Sequence, residues 1–287
     1  TPLAYQLAYN WMEDGNPVIY LTNNKRPDII LEDSLRYGWD FTRFRKEGKL
    51  KFVDAYTGFM GIKSEEDYFV NNPHDLSEVD QVLVKAVNDV GNRALIIIDS
   101  LSTMIDYFSD RILGRIEEWG RLAILKDLHM LYLFIEWNFD EELKKELRER
   151  ADNVVRLSPV EKGIILSDLL IVEKVNGKAV KPLTVPIRYV KPGGMKIYVP
   201  KILVTGPYHA GKTTVVHALS TRAVSVQRRG TTIALDFGHL DYKGFHADLF
   251  GTIGQERFDP ILEQLGGETL GVILVVDSTD PSSFPRA

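Results

Sequence analysis

The chain has 287 residues, 44% hydrophobic and 26% charged, the balance of a soluble globular protein with one large domain or two ordinary ones. A formal net charge of −5 argues against a general nucleic-acid binder, because phosphate backbones call for basic surfaces. The absence of cysteine excludes disulfides, thiolate metal sites and cysteine nucleophiles, and no apolar run approaches the roughly 18 residues of a membrane span, so a reducing cytoplasmic setting is expected.

Thr1-Pro2-Leu3-Ala4 leads directly into an amphipathic helical pattern, and Ala287 follows soon after a strand pattern, so both ends are expected to cut through structural elements. Short apolar runs then recur at Val18–Leu21, Leu50–Val53, Leu95–Ile98, Leu131–Ile135, Ile202–Val204 and Val272–Val276. Runs apolar at successive positions predict strands buried on both faces of a parallel sheet. Helical periodicity fills the intervals. Ile112, Ile116, Trp119 and Ala123 share one face of a helix that Gly120 is expected to interrupt. The alternation implies α/β architecture.

Within ALIIIDSLS, Asp99 ends a buried strand, where α/β folds put their ligands. It could support Mg2+ through a water, or it could be an acidic cap opening the next helix. Between about Ile164 and Pro200 the pattern changes to antiparallel ribbons, with β-branched residues, an Asn176-Gly177 turn and a Lys191-Pro192-Gly193-Gly194 turn. A domain boundary is expected near Tyr198–Lys201.

The apolar run KILVT then delivers Gly206-Pro207-Tyr208-His209-Ala210-Gly211-Lys212-Thr213-Thr214, followed by the helical pattern VVHAL. Strand, glycine-bounded loop and helix N-terminus form a phosphate-binding P-loop. Gly206 and Gly211 allow the tight path, and the loop backbone through His209, Ala210 and Thr214 can surround a phosphate. Lys212 reaches the β/γ-phosphates and the Thr213 hydroxyl can ligate Mg2+. The His209 side chain itself reads as an exposed loop residue, not a catalyst.

Downstream lie Arg228-Arg229-Gly230-Thr231-Thr232, two strand-like segments, Gly254-Gln255-Glu256-Arg257-Phe258 and GVILVVDSTDP. In this order the region from Lys201 onward resembles the Ras-like small GTPases. The resemblance implies that Thr231 or Thr232 ligates Mg2+ from the first switch, with Thr232 the preferred candidate. It implies that the Gly254 N–H meets the γ-phosphate and that Gln255 orients the attacking water. Gly251 stands where the family has the aspartate that supports Mg2+, a departure shared with GTPases resembling the gliding-motility protein MglA. Asp236 could substitute for it, or could be an ordinary strand-edge aspartate. Arg228 and Arg257 could serve as charge-stabilising fingers or be surface charges. Guanine recognition is implied by the resemblance alone.

The first part of the chain offers a second resemblance. Arg36–Tyr56 (RYGWDFTRFRKEGKLKFVDAY), followed by the strand ending IDSLS, is similar to the RecA-like ATPases related to KaiC. There Asp99 would be the Mg2+-supporting carboxylate of an ATP site, and Thr1 would be the last P-loop residue or the one beyond it. Where that family usually has paired glutamates, this chain has Asn23-Asn24-Lys25, and amides cannot act as general bases. Weak ATP binding and slow hydrolysis at best are expected of this half.

The expectation is therefore two three-layer α/β domains of the P-loop NTPase type with mainly parallel sheets, RecA-like over 1–198 and small-GTPase-like over 199–287. The ligands implied are GTP or GDP with Mg2+, ATP in the first domain, and a protein partner or a second copy of the chain. A nucleotide-regulated switch leads. A non-catalytic nucleotide-binding assembly protein and an ATP-driven motor are the alternatives.

Overall fold

The computed structural model describes residues 2–136, 139–159, 168–197, 199–225, 227–228, 231–232, 236–242, 245–252 and 269–286. The chain divides into two compact units. One comprises Thr1–Leu157, Leu170–Thr184 and Arg188–Lys196; the other comprises Ser158–Leu169, Val185–Ile187 and Ile197–Ala287.

The first unit begins with α1 (Pro2–Glu13), β1 (Val18–Thr22), α2 (Pro27–Arg36), α3 (Phe41–Lys46), β2 (Leu50–Asp54), the single turn α4 (Tyr56–Phe59) and β3 (Tyr68–Phe69). It continues through α5 (Leu76–Val90), β4 (Leu95–Asp99), α6 (Leu101–Phe108), α7 (Arg111–Lys126), β5 (His129–Leu133) and α8 (Glu141–Arg150). The strands form a wholly parallel sheet in the order β3-β2-β1-β4-β5. All five residues of β1 and of β4 are buried, as successive apolar positions predict for a two-faced sheet. The period of two splits them. Ile19, Leu21, Ile96 and Ile98 pack toward α5, α6 and α7, whereas Val18, Tyr20, Leu95 and Ile97 pack toward α1, α2 and α3. Register aligns Thr22 with both Asp54 and Asp99, so three polar residues share the carboxyl edge of the sheet.

Two expectations are corrected here. Helix α7 runs without a break through Gly120, because burial of Ile112, Ile116, Trp119 and Ala123 outweighs the roughly 1 kcal/mol that glycine costs inside a helix. Strand β5 ends at Leu133, two residues short of the expected Ile135. The Ile135 N–H instead donates to Ser102 Oγ at 2.7 Å, beyond the sheet edge.

The ribbon module is β6 (Val154–Pro159), β7 (Asp168–Val175), β8 (Lys178–Val190) and β9 (Gly194–Ile197), in that spatial order. Asn176 (φ 49°) and Gly177 (φ 75°) form the predicted two-residue turn, whose two positive φ angles suit the twist of a hairpin. The far end of the module is held to the helical layer. Met195 N–H donates to Gln6 Oε1 at 2.8 Å, Gly193 N–H donates to the Tyr37 carbonyl at 2.9 Å, and Gly194 is so close to the Trp39 ring that a Cβ on it would lie 2.4 Å from ring atoms.

The second unit contains β10 (Lys201–Thr205), α9 (Lys212–Leu219), β11 (Arg222–Val224), β12 (Gln227–Arg228), β13 (Thr231–Thr232), β14 (Asp236–Tyr242), β15 (Phe245–Gly251) and β16 (Thr269–Leu274). Its main sheet has the order β11-β14-β15-β10-β16. Strand β10 is parallel to β15 and β16, while β14 is antiparallel to both β15 and β11. Strand β16 begins at Thr269 and ends at Leu274, earlier than the expected Val272–Val276, although the Val275 N–H still reaches the Thr205 carbonyl. Among the described residues, strands β12 and β13 pair only with each other. Val204, Val216 and Leu249 form the core under α9. No helix among the described residues is long and apolar enough to cross a membrane.

Candidate nucleotide sites

In the second unit β10 carries the chain to a loop that spans Gly206 to Gly211. Gly206 has φ +143°, and a Cβ on it would lie 2.0 Å from the Val275 carbonyl oxygen, so only glycine lets the loop leave beside the exit of β16. His209 is exposed and also left-handed (φ 62°), and Gly211 (φ 93°) starts α9 in the left-handed conformation. Ala210 N–H donates back to the Pro207 carbonyl, closing the turn.

Lys212 is folded under this loop. Its Nζ donates to the carbonyls of Gly206 at 2.9 Å and Pro207 at 2.6 Å, and the residue is buried. Burial lowers the ammonium pKa below the ordinary value, and the Asp236 carboxylate acts against that shift. Thr213 Oγ1 donates to Asp236 Oδ2 at 2.6 Å, while Thr214 is exposed on the first turn of α9. Thr213, Thr214, His217 and Ala218 line an open pocket along that face.

Asp236, which the sequence offers either as a substitute ligand or as an ordinary strand-edge aspartate, is the residue that Thr213 engages. It is 1% exposed, and among the described residues its second oxygen, Oδ1, has no hydrogen-bond partner. It stands opposite Gly251 in the antiparallel β14–β15 pair. A Cβ on Gly251 would lie 2.8 Å from Asp236 Cβ and 3.1 Å from Oδ2. The space for a carboxylate at position 251 is thus filled from the neighbouring strand. A threonine hydroxyl and a buried carboxylate with an unpaired oxygen are hard oxygen donors of the kind Mg2+ prefers, and Mg2+ characteristically takes only one or two protein ligands beside phosphates.

The other switch candidates divide. The Thr232 backbone lies in β13 opposite Gln227, and its side chain is outside the described atoms. Gly254 and Gln255 lie outside the described residues, as does Thr1.

In the first unit Asp99 sits at the carboxyl tip of β4 and is 1% exposed. Tyr20 OH donates to Oδ2 at 2.6 Å and Asn24 Nδ2 donates to Oδ1 at 2.7 Å. Burial, reinforced by Asp99, pushes the Tyr20 phenol well above its ordinary pKa, which keeps it a proton donor. Asn23 grips the next residue from both sides: Ser100 N–H donates to its Oδ1 at 2.6 Å, and its Nδ2 donates to the Ser100 carbonyl at 3.0 Å. Ser100, not Asp99, caps α6, through its hydroxyl and the Thr103 N–H. Of the two readings open for Asp99, the helix cap is therefore excluded, because its carboxylate turns inward to Tyr20.

Comparison with known proteins follows the same division. The family model described as ATPase, KaiC matches residues 1–202, and the model of the ADP-ribosylation factor (Arf) family matches residues 195–287. A UPF0273 protein of Thermotoga maritima is 31% identical over 136 residues, which cover 47% of this chain and 55% of that protein. Another, from Methanocaldococcus jannaschii, is 36% identical over 112 residues, 38% of this chain and 45% of that one. A third, from Pyrobaculum aerophilum, is 33% identical over 103 residues, 36% of each chain. The matches thus span from about a third to about half the length of these curated relatives. The crystal structure of a KaiC-like protein from Pyrococcus horikoshii shares the fold, with a TM-score of 0.54 at 18% identity over 69% of this chain and 82% of that one. Domains of these two kinds imply binding of a nucleotide with Mg2+. With residues 1–202 under the KaiC model, the chain belongs to the KaiC ATPase family, and an Arf-like small-GTPase domain follows within it.

Proposed function

We propose that this chain is a nucleotide-regulated switch in the cytoplasm, with domains over 1–198 and 199–287. The Arf-like domain binds GTP with Mg2+ and hydrolyses it slowly to GDP, while the KaiC-like domain serves as scaffold and assembly surface for a protein partner or a second copy. The observation that carries this reading is the Thr213–Asp236 bond beneath a P-loop that already holds Lys212 under its carbonyls. Thr213 would ligate Mg2+ directly and Asp236 would support it through a water, replacing the carboxylate that Gly251 lacks. The ion would neutralise phosphate charge and order the switches around the γ-phosphate. Thr232 would add a ligand from the first switch, the Gly254 N–H would meet the γ-phosphate, and Gln255 would orient water. The choice of guanine is supported by likeness to small GTPases.

GTP titration of the chain and its Lys212→Ala variant tests the reading, with ATP as competitor. Loss of at least about tenfold in affinity is expected, given the several phosphate interactions one lysine makes. Equal binding by both proteins would overturn it. Asp236→Asn should weaken the Mg2+ dependence of GTP binding by about 10–100-fold, the usual effect of losing a partner behind a metal ligand. Gln255→Leu should slow hydrolysis while leaving binding in place.

A second reading, a structural nucleotide without turnover, is favoured by the engagement of Asp99 with Tyr20 and Asn24. Nucleotide that survives purification and is never hydrolysed would decide for it.

A further inference from the structure

The carboxyl edge of the KaiC-like sheet is where a Mg2+-supporting carboxylate is expected, and Asp99 occupies that place. Such a carboxylate needs an oxygen open toward the water shell of the ion, because Mg2+ dehydrates reluctantly and keeps several waters. Asp99 offers none. Tyr20 holds Oδ2 from within the core, and Asn24 holds Oδ1 from the loop that follows β1.

That loop is fastened along its length. Asn23 makes the reciprocal pair with the Ser100 peptide, Thr22 Oγ1 donates to the Lys25 carbonyl at 2.6 Å, and Lys25 Nζ pairs with Asp33 of α2 at 2.8 Å. The chemistry of the two asparagines is what permits this. A carboxylate at position 23 or 24 would meet Asp99 as a like charge, whereas an amide supplies donors to it. The same substitution leaves no proton acceptor there to activate water.

We propose that Asp99 is a structural carboxylate, sealed by Tyr20 and Asn24, and that the KaiC-like domain holds no divalent cation at it and turns over no ATP through it. The proposal rests on the reading of this domain as a scaffold and names the residues that make it one. Asn23 and Asn24 are the clasp, and Tyr20 is the buried half of the seal. Asn24 is itself exposed, so the seal can be opened by substitution without disturbing the core.

The test uses the full-length protein carrying Lys212→Ala, with Mn2+ as probe for Mg2+, titrated by electron paramagnetic resonance in the presence of ATP. Asp99→Asn is expected to leave Mn2+ affinity and ATP turnover within about twofold while lowering the melting temperature, since one donor would then face another. Asn24→Ala combined with Tyr20→Phe is expected to raise Mn2+ affinity by about tenfold or more, the scale on which groups around a metal ligand act. A tenfold or greater loss of Mn2+ affinity or turnover in Asp99→Asn would overturn the proposal, as would no gain in the double variant. Should Asp99→Asn fail to fold, Asn24→Ala alone carries the test, where a gain supports the proposal and no gain overturns it. GTP titration of the same variants with Lys212 intact should be unchanged, which separates this outcome from failure of the switch reading.

Discussion

Asp236 stands opposite Gly251 and fills the space that a side chain at position 251 would need. The carboxylate comes from β14, and β15 supplies the gap that admits it. Gly251→Asp should therefore fail to restore the family pattern. The new side chain would overlap Asp236 at 2.8 Å and place a second carboxylate beside it. Overpacking of this kind costs about 1–3 kcal/mol, so a lowered melting temperature together with weaker GTP binding is expected in thermal melts and titrations. Lys212 allows a prediction with a sign. Burial lowers its folded pKa beneath the ordinary value of 10.5, so in the alkaline range between the two values the unfolded chain carries a proton that the folded chain lacks. The stability of the native chain relative to Lys212→Met should consequently rise as pH is raised toward 10.5, measured by urea unfolding without nucleotide. A flat difference across that range would show that burial does not govern this lysine.

Among the elements, two glycines separate local from tertiary demands. Gly120 lies inside α7, where an added Cβ would have no atom within 4 Å, and its backbone is helical. Gly120→Ala should stabilise the protein by about 0.5–1 kcal/mol, which chemical denaturation can read. Gly194, at the start of β9, has φ +76°, and a Cβ there would meet the Trp39 ring at 2.4 Å. Gly194→Ala should cost about 1–3 kcal/mol from backbone strain and should loosen the hold of Gln6 on Met195, visible as faster amide exchange at Met195. The strand pattern was largely legible in advance because buried parallel strands write continuous apolar runs. The ends of β5 and β16 were not, since they depend on distant partners: Ile135 N–H turns to the Ser102 hydroxyl on α6, and Val275 N–H reaches the Thr205 carbonyl.

For the whole molecule, a ligand that binds only the folded Arf-like domain must raise its apparent stability. At 100 times the dissociation constant the gain is about 2.7 kcal/mol. GTP with Mg2+ should shift the melting of the native chain upward, and Lys212→Ala should remove that shift, each protein being compared with its own melting without nucleotide. The division into a KaiC-like and an Arf-like part was legible from motif order, because each part carries residues whose chemistry depends on near neighbours. The P-loop is the clearest case. Glycine backbone freedom, the helix start at Lys212 and the hydroxyl of Thr213 are set within a few residues of one another, and the structure builds the loop those residues predict. The partners of the two carboxylates were not legible. Asp236 lies 23 residues from Thr213, and Asp99 lies 75 residues from Asn24 and 79 from Tyr20. Only strand register brings such groups together, and register is settled by the packing of both sheet faces at once. Local composition therefore pointed to a nucleotide ligand, and the tertiary pairing decided which groups each buried carboxylate faces.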